Sequence, residues 1–235
     1  MRESHAIDDI VHHSHLLFKE KGSEVAWNEW VHSQVLLTAL RDSKVGYRNV
    51  SRAAIFPREL IAKIQGADVQ SLAKASKIID YAICIDFAND QRLYSLLQSR
   101  GAASVNATNY EGVCLRPIAV SIKTKRPDTA DANKALAQLA IWTTLQFKHV
   151  QQLLPNQTLP GVPMIVVLGF DWLLYFFIPR QEDDQREIYG PIDMGNTKSH
   201  FNTYKLLGSL RAVAKWAATE FHDWWDQTLS GEREG

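Results

Sequence analysis

Two apolar spacings alternate along this chain, one helical and one extended. Trp27, Trp30, Val31, Val35, Leu36 and Leu40 recur at helical intervals, and Ser23 stands where an N-cap belongs, which predicts a helix over 24–41. Ahead of it, residues 1–22 are polar and carry His5, His12, His13 and His15. No cysteine partner is placed to complete a metal site there, so a solvated, partly mobile helix is the simpler reading. "NVSRAAIFPRELIAKIQG" reads as a turn or short strand, then a short helix begun by Pro57 at its first turn. "SKIIDYAICID", 76–86, is rich in isoleucine and predicts a strand with Ile78, Asp80, Ala82 and Cys84 on one face. A polar helix-plus-loop connection over 87–112 leads to a second strand over 116–125.

"DTADANKALAQLAIWTTLQFKHVQQLL" is helical, with Leu136, Leu139, Ala140, Thr143 and Phe147 on one side. Pro160 and Pro163 mark a turn. Residues 163–178 read as two adjacent strands pivoting near Gly169–Asp171, a hairpin signal. A polar loop over 180–200 precedes a long amphipathic helix over 202–228. The order is helix, helix, strand, strand, helix, strand, strand, helix. That predicts an α/β (α+β) single domain, a mixed central sheet flanked by helices. The boundaries are a polar N-terminal segment 1–22, a domain 23–229 and a tail 230–235.

Composition narrows the function classes. The chain has 235 residues, 26 basic against 26 acidic. A zero net charge argues against general affinity for nucleic acid, which favours a basic excess, although a local basic groove stays open. Cys84 and Cys114 both fall in or near predicted strands with no local activating motif, so two buried free thiols are expected. The N-terminus lacks a signal-peptide apolar run, and the longest apolar stretch, 164–178, is short for a bilayer and broken by Asp171. A soluble intracellular protein, cytoplasmic or nuclear and with no membrane partner, is the expectation.

One stretch breaks the apolar pattern in an informative way. In "SIKTKRP", 121–127, Ala119, Ser121, Lys123 and Lys125 share one face of the strand, and Ile118, Val120, Ile122 and Thr124 share the other. Two lysines at the end of a core strand need an acid nearby or a cleft. Asp80, alone in an apolar strand, has the matching need. Gln138 follows on a helix about four turns beyond the lysine strand. An acid on one strand, a charged pair on the next and then a helix is the logic of a metal nuclease, where carboxylates hold the cation and a lysine steadies the attacking water or the phosphate.

With these residues in place the chain resembles the fungal branch of the PD-(D/E)XK nuclease-like superfamily over 23–229. "EVAWNEWVHSQVLLTAL" is similar to the opening helix and "NVSRAAIFPRELI" to the next element. "KIIDYAICI" matches the strand of the metal-binding aspartate, here Asp80. "RPIAVSIKTKRP" matches the strand that carries acidic-x-Lys. "ALAQLAIW", "VVLGFDWLLYF" and "LLGSLRAVAKWAATEFHDWW" resemble the following helix, the closing strands and the last helix. The resemblance implies a restriction-endonuclease-like core and puts Lys125 at the catalytic lysine position. It puts Lys123 where the second acid belongs. Asp80 alone holds Mg²⁺ or Mn²⁺ weakly, and a neighbouring ammonium repels it. Glu24 is placed to supply a first-helix acid. Asp86 is about 20 Å along the strand from Asp80, too far for joint coordination.

Three readings follow. The first is a fold repurposed to bind or transform a small molecule, with no metal cofactor, using Asp80, Lys123, Lys125 and Gln138. Clustered, buried lysines serve as acids, bases or Schiff-base nucleophiles. Relatives beside fungal specialised-metabolite genes fit this reading. The second is a Mg²⁺- or Mn²⁺-dependent DNA endonuclease whose missing acid comes from Glu24 or Glu111. The third is a non-catalytic structural or interaction domain that keeps Asp80, Lys123 and Lys125 as an inherited ion-pair network. Elsewhere the bland readings are simplest. Asn28 and His32, one turn apart, are a hydrogen-bonded structural pair. Asp171 in "GFDW" bonds backbone in a bend, "DWW" at 223–225 is packing, and "RQEDDQRE" at 180–187 is an exposed loop.

Overall fold

The computed structural model describes residues 2–63, 78–129, 131–179 and 186–231. Six strands form one sheet: β1 Gly46–Asn49, β2 Tyr81–Cys84, β3 Ile118–Lys125, β4 Val162–Leu168, β5 Asp171–Pro179 and β6 Arg186–Asn196. They lie in chain order across the sheet. Every neighbouring pair is antiparallel except β3 and β4, which are parallel and therefore need a crossover. That crossover contains the helix α4, Ala132–Leu153. The mixed sheet with flanking helices is the architecture the sequence predicts.

The helices divide between the two faces. α1 (Arg2–Lys19), α2 (24–40), α3 (Gln91–Ser99) and α5 (200–231) pack on one face, against Tyr81, Ile83, Val120, Ile122, Ile165 and Val167. α4 and the 3₁₀ turn Arg58–Lys63 cover the other, against Ala82, Cys84, Ile118, Met164 and Val166. The period-two alternation of β2 and β4 thus feeds two separate cores. α2 starts at Ser23, whose hydroxyl accepts from the Ala26 amide at 3.1 Å, as its sequence predicts. Asp131 caps α4 by accepting from Lys134 N.

Several expectations change. α1 is an amphipathic helix docked on the molecule, with Ile7, Ile10 and Leu17 buried in the first core, rather than a solvated segment. Its apolar residues sit at helical spacing among the histidines that dominate its composition. The polar stretch read as a loop over 180–200 contains β6, an edge strand. Pro191 and Gly190 mask its pattern, and an edge tolerates them. The charged run at 180–187 lies mostly outside the described residues, as does the chain beyond 231. Trp30, counted with the apolar stripe of α2, is 47% exposed and meets His13 edge-on. Cys84 is buried in β2, and burial pushes its thiol up to about 12. Cys114 sits in a turn, half-buried, rather than in a strand, and both cysteines are free. Among the described residues no helix is long and apolar enough to cross a membrane.

Candidate functional site

The centre of the sheet brings Asp80 and Lys123 together. Asp80 immediately precedes β2, and the register Tyr81↔Ile122, continued by one step, sets it opposite Lys123 on β3. Lys123 Nζ lies 3.0 Å from Asp80 Oδ2. Each residue is only 3% exposed. The same oxygen accepts from the Thr124 amide at 2.8 Å and from the Thr124 hydroxyl at 3.1 Å. Oδ2 of Asp80 thus receives an ammonium, an amide and a hydroxyl. A buried carboxylate needs such charge-assisted bonds to remain in place. The Asp80 backbone is fixed as well: its N–H donates to Ile122 O, and its carbonyl accepts from Val50 N.

Lys125 goes elsewhere. Strand alternation puts Lys123 and Lys125 on one face, about 7 Å apart along β3. Their side chains diverge at the strand's end. Lys125 Nζ lies 3.7 Å from Glu24 Oε2 at the start of α2, with the lysine side chain 19% exposed. Each lysine therefore has its own carboxylate instead of sharing Asp80. Asp86 is paired with Arg116 at 3.3 Å, apart from this centre, and Glu111 lies exposed in a turn. Among the described residues no three histidine, cysteine or acidic side chains converge as a metal cluster.

Gln138 lies on α4, which packs against β3 and β4. It shares the helix stripe of Ala135, Leu139 and Trp142, which face the sheet. Its Oε1 is buried and has no hydrogen-bond partner among the described residues.

The segment behind Lys125 is held by α2, where a π-turn at Asn28–His32 interrupts the helix. His32 is fully buried. Its Nε2 lies 2.9 Å from Gly169 O, and its Nδ1 lies 3.0 Å from Asn28 Oδ1. Burial lowers its pKa to about 4, against opposing contributions from Gly169 and Asp80, so the ring is neutral at pH 7. A carbonyl only accepts, so Nε2 carries the one proton of the neutral ring; Nδ1 is then the acceptor, and the Asn28 side-chain amide must turn its NH₂ rather than its oxygen toward it. Gly169 N in turn donates to Lys125 O at 2.7 Å. The chain of contacts runs Asn28, His32, Gly169, Lys125, and joins the first helix to the end of β3. Tyr81 OH donates to Asn28 O at 2.7 Å and meets Ser33 at 2.9 Å, fixing the same π-turn from β2. Asp171, expected to bond backbone in its bend, instead accepts from Lys198 Nζ at 2.7 Å and 2.8 Å.

Sequence reasoning missed Thr124. It lies on the opposite strand face from the lysines, yet its hydroxyl and amide both reach Asp80. A β-branched hydroxyl residue inside the charged motif was the available signal.

The family model of the PD-(D/E)XK nuclease superfamily matches residues 1–222. The chain belongs to the PD-(D/E)XK nuclease superfamily. The match includes α1, all six strands and α5 as far as residue 222, and it takes in Asp80, Lys123, Lys125 and Gln138. No curated protein and no solved structure matches the chain significantly.

Proposed function

We propose that this PD-(D/E)XK domain carries a lysine ammonium where its relatives use a divalent cation, and that it binds or transforms a small molecule instead of hydrolysing phosphodiesters. The observation that carries the reading is the buried contact of Lys123 Nζ with Asp80 Oδ2 at 3.0 Å. In the acidic-x-Lys pattern the residue two before Lys125 supplies the second acid, and here that residue is Lys123. Mg²⁺ needs hard oxygen ligands at about 2.0–2.1 Å in near-octahedral order. The donor set is one carboxylate short and one ammonium over, and Glu24 is directed at Lys125. These residues do not fit a resident divalent ion.

The roles that remain are those of the side chains themselves. Asp80 holds Lys123 in place. Lys125, partly exposed, presents a positive charge suited to an anionic or carbonyl-bearing ligand. Gln138 has an acceptor to spare for a ligand donor. A ligand from fungal specialised metabolism accords with the resemblance in the sequence.

The test is cleavage of supercoiled plasmid with Mg²⁺ or Mn²⁺. Wild type is expected to leave the plasmid intact, and Lys123→Glu is expected to gain nicking activity that Asp80→Ala removes. Wild-type cleavage that disappears in Asp80→Ala contradicts the proposal.

A further inference from the structure

The two parallel strands of the sheet, β3 and β4, end side by side, with Lys125 opposite Leu168. In open α/β sheets ligands bind in the crevice outside the carboxyl ends of the strands. A cavity of about 330 Å³ lies at this end, in the lower range of small-molecule sites. Pro127 and Asp128, which follow β3, form one wall. The α1–α2 junction forms the other, with Phe18, Lys19, Lys21 and Trp27. Pro127 is two residues beyond Lys125, and Gly22, also in the wall, is two residues before its partner Glu24. The cavity therefore adjoins that ion pair from both sides, within about 7 Å of chain.

The charge in these walls is one-sided. Asp128 is paired with Arg126 at 3.0 Å. Lys19 and Lys21 have no ion-pair partner among the described residues. Beside them the surface is apolar: Trp27 belongs to the first core, and Phe18 is exposed and meets Phe170 at 5.3 Å. The end of α1 adds a separate observation. Gly22 N donates to Leu17 O at 2.8 Å and Lys21 N to Phe18 O at 3.3 Å, the paired bonds of a helix that stops on a left-handed residue. That residue is Lys21, with φ +52°, the one non-glycine residue at positive φ among the described residues. Glycine commonly fills this position, because a Cβ is strained there. The helix stop does not account for a lysine, whereas a cationic role toward the cavity does.

We infer that this cavity binds a small organic anion, an apolar body ending in a carboxylate or similar oxyanion, with Lys19 and Lys21 drawing the charged end and Phe18 and Trp27 receiving the body. Opposite charge favours the oxyanion, and the apolar wall makes a compact ring a better ligand than a fully hydrated ion. The inference rests on the small-molecule reading above and gives the ligand class for the Lys125 end of that site. It stands on other residues than Asp80 and Lys123. Failure to bind an organic anion therefore leaves the plasmid assay unaffected, and nicking by wild type overturns the reading of the central site whatever the cavity binds.

The experiment is an amide and indole ¹H–¹⁵N titration of the full chain with benzoate, and with benzamide as the neutral probe of the same shape. Benzoate is expected to move the Lys21 and Gly22 amide signals and the Trp27 indole signal. The indole of Trp142, which packs in the other core and is not in the wall, is expected to stay in place. Benzamide is expected to bind more weakly, and added salt to weaken benzoate alone. Lys19→Gln and Lys21→Gly are each expected to weaken benzoate about three- to fivefold, the range of an exposed charge contact. Lys21→Gly is also expected to keep or raise the urea midpoint, since glycine takes the left-handed backbone without strain. That separates lost binding from lost folding. Unmoved Lys21, Gly22 and Trp27 signals overturn the inference, as do equal affinities for the two probes or wild-type affinity in both variants.

Discussion

Asp80 and Lys123 make opposite demands on stability when changed singly and together. Removing one partner leaves the other charged and buried, which costs about 3–5 kcal/mol. Replacing both by apolar residues removes the problem along with the attraction. Asp80→Ala is therefore expected to lower the unfolding free energy by about 3–5 kcal/mol, and Asp80→Leu with Lys123→Leu to recover most of that loss. Urea denaturation of the single and double variants checks this, and equal losses in both contradict it. His32 makes a second residue-scale prediction. Its folded pKa of about 4 lies below the ordinary 6.5, so between these values the unfolded chain binds the proton that the folded chain refuses. Stability from this residue is full above about pH 6.5 and is lost as pH falls toward 4, by about 3 kcal/mol in all. The urea midpoint of wild type should fall over that window more steeply than that of His32→Gln; parallel slopes contradict it. Asp80 and the two lysines were legible in the sequence because charge inside an apolar strand is conspicuous. Their partners were not. Alternation shows which face a lysine leaves from, but not which way its long side chain bends at a strand's end. Thr124 was hidden for a related reason: its amide, which carries no residue identity, makes half of its contact with Asp80.

At the scale of elements, the helices and central strands followed from periodicity because each buries one face against the sheet. β6 did not, since an edge strand has one paired side and admits Gly190 and Pro191 in its middle. The π-turns were equally hidden. Trp27, Val31 and Val35 are spaced by four residues, a slow drift for an α-helix, and the wider turn at Asn28–His32 restores their common burial. The β4–β5 turn carries a prediction of its own. Gly169 has φ +59°, and an added Cβ there would lie 2.1 Å from Pro127 Cγ. Gly169→Ala is expected to lower the unfolding free energy by at least about 2 kcal/mol, through the left-handed backbone and the clash, and to loosen the His32–Gly169–Lys125 connection. Denaturation together with hydrogen exchange at the Gly169 amide measures both effects, and unchanged protection at that amide contradicts the connection.

For the whole molecule, one sheet serves two cores and two separate polar centres. The order of the four central strands and the crossover through α4 was readable, whereas the two edge strands β1 and β6 were not, although all six strands pair in chain order. The family was readable because its segments occur in order. The docking of α1 was not, because His12, His13 and His15 obscure the buried spacing of Ile7, Ile10 and Leu17. The chemistry of the central site turns on whether the internal ammonium has taken over from a metal ion. Isothermal titration with Mn²⁺, comparing wild type, Lys123→Glu and Lys123→Glu with Asp80→Ala, tests that directly. The account predicts no binding by wild type, binding in Lys123→Glu, and its loss when Asp80 is also removed. Mn²⁺ binding by wild type that Asp80→Ala abolishes would contradict it.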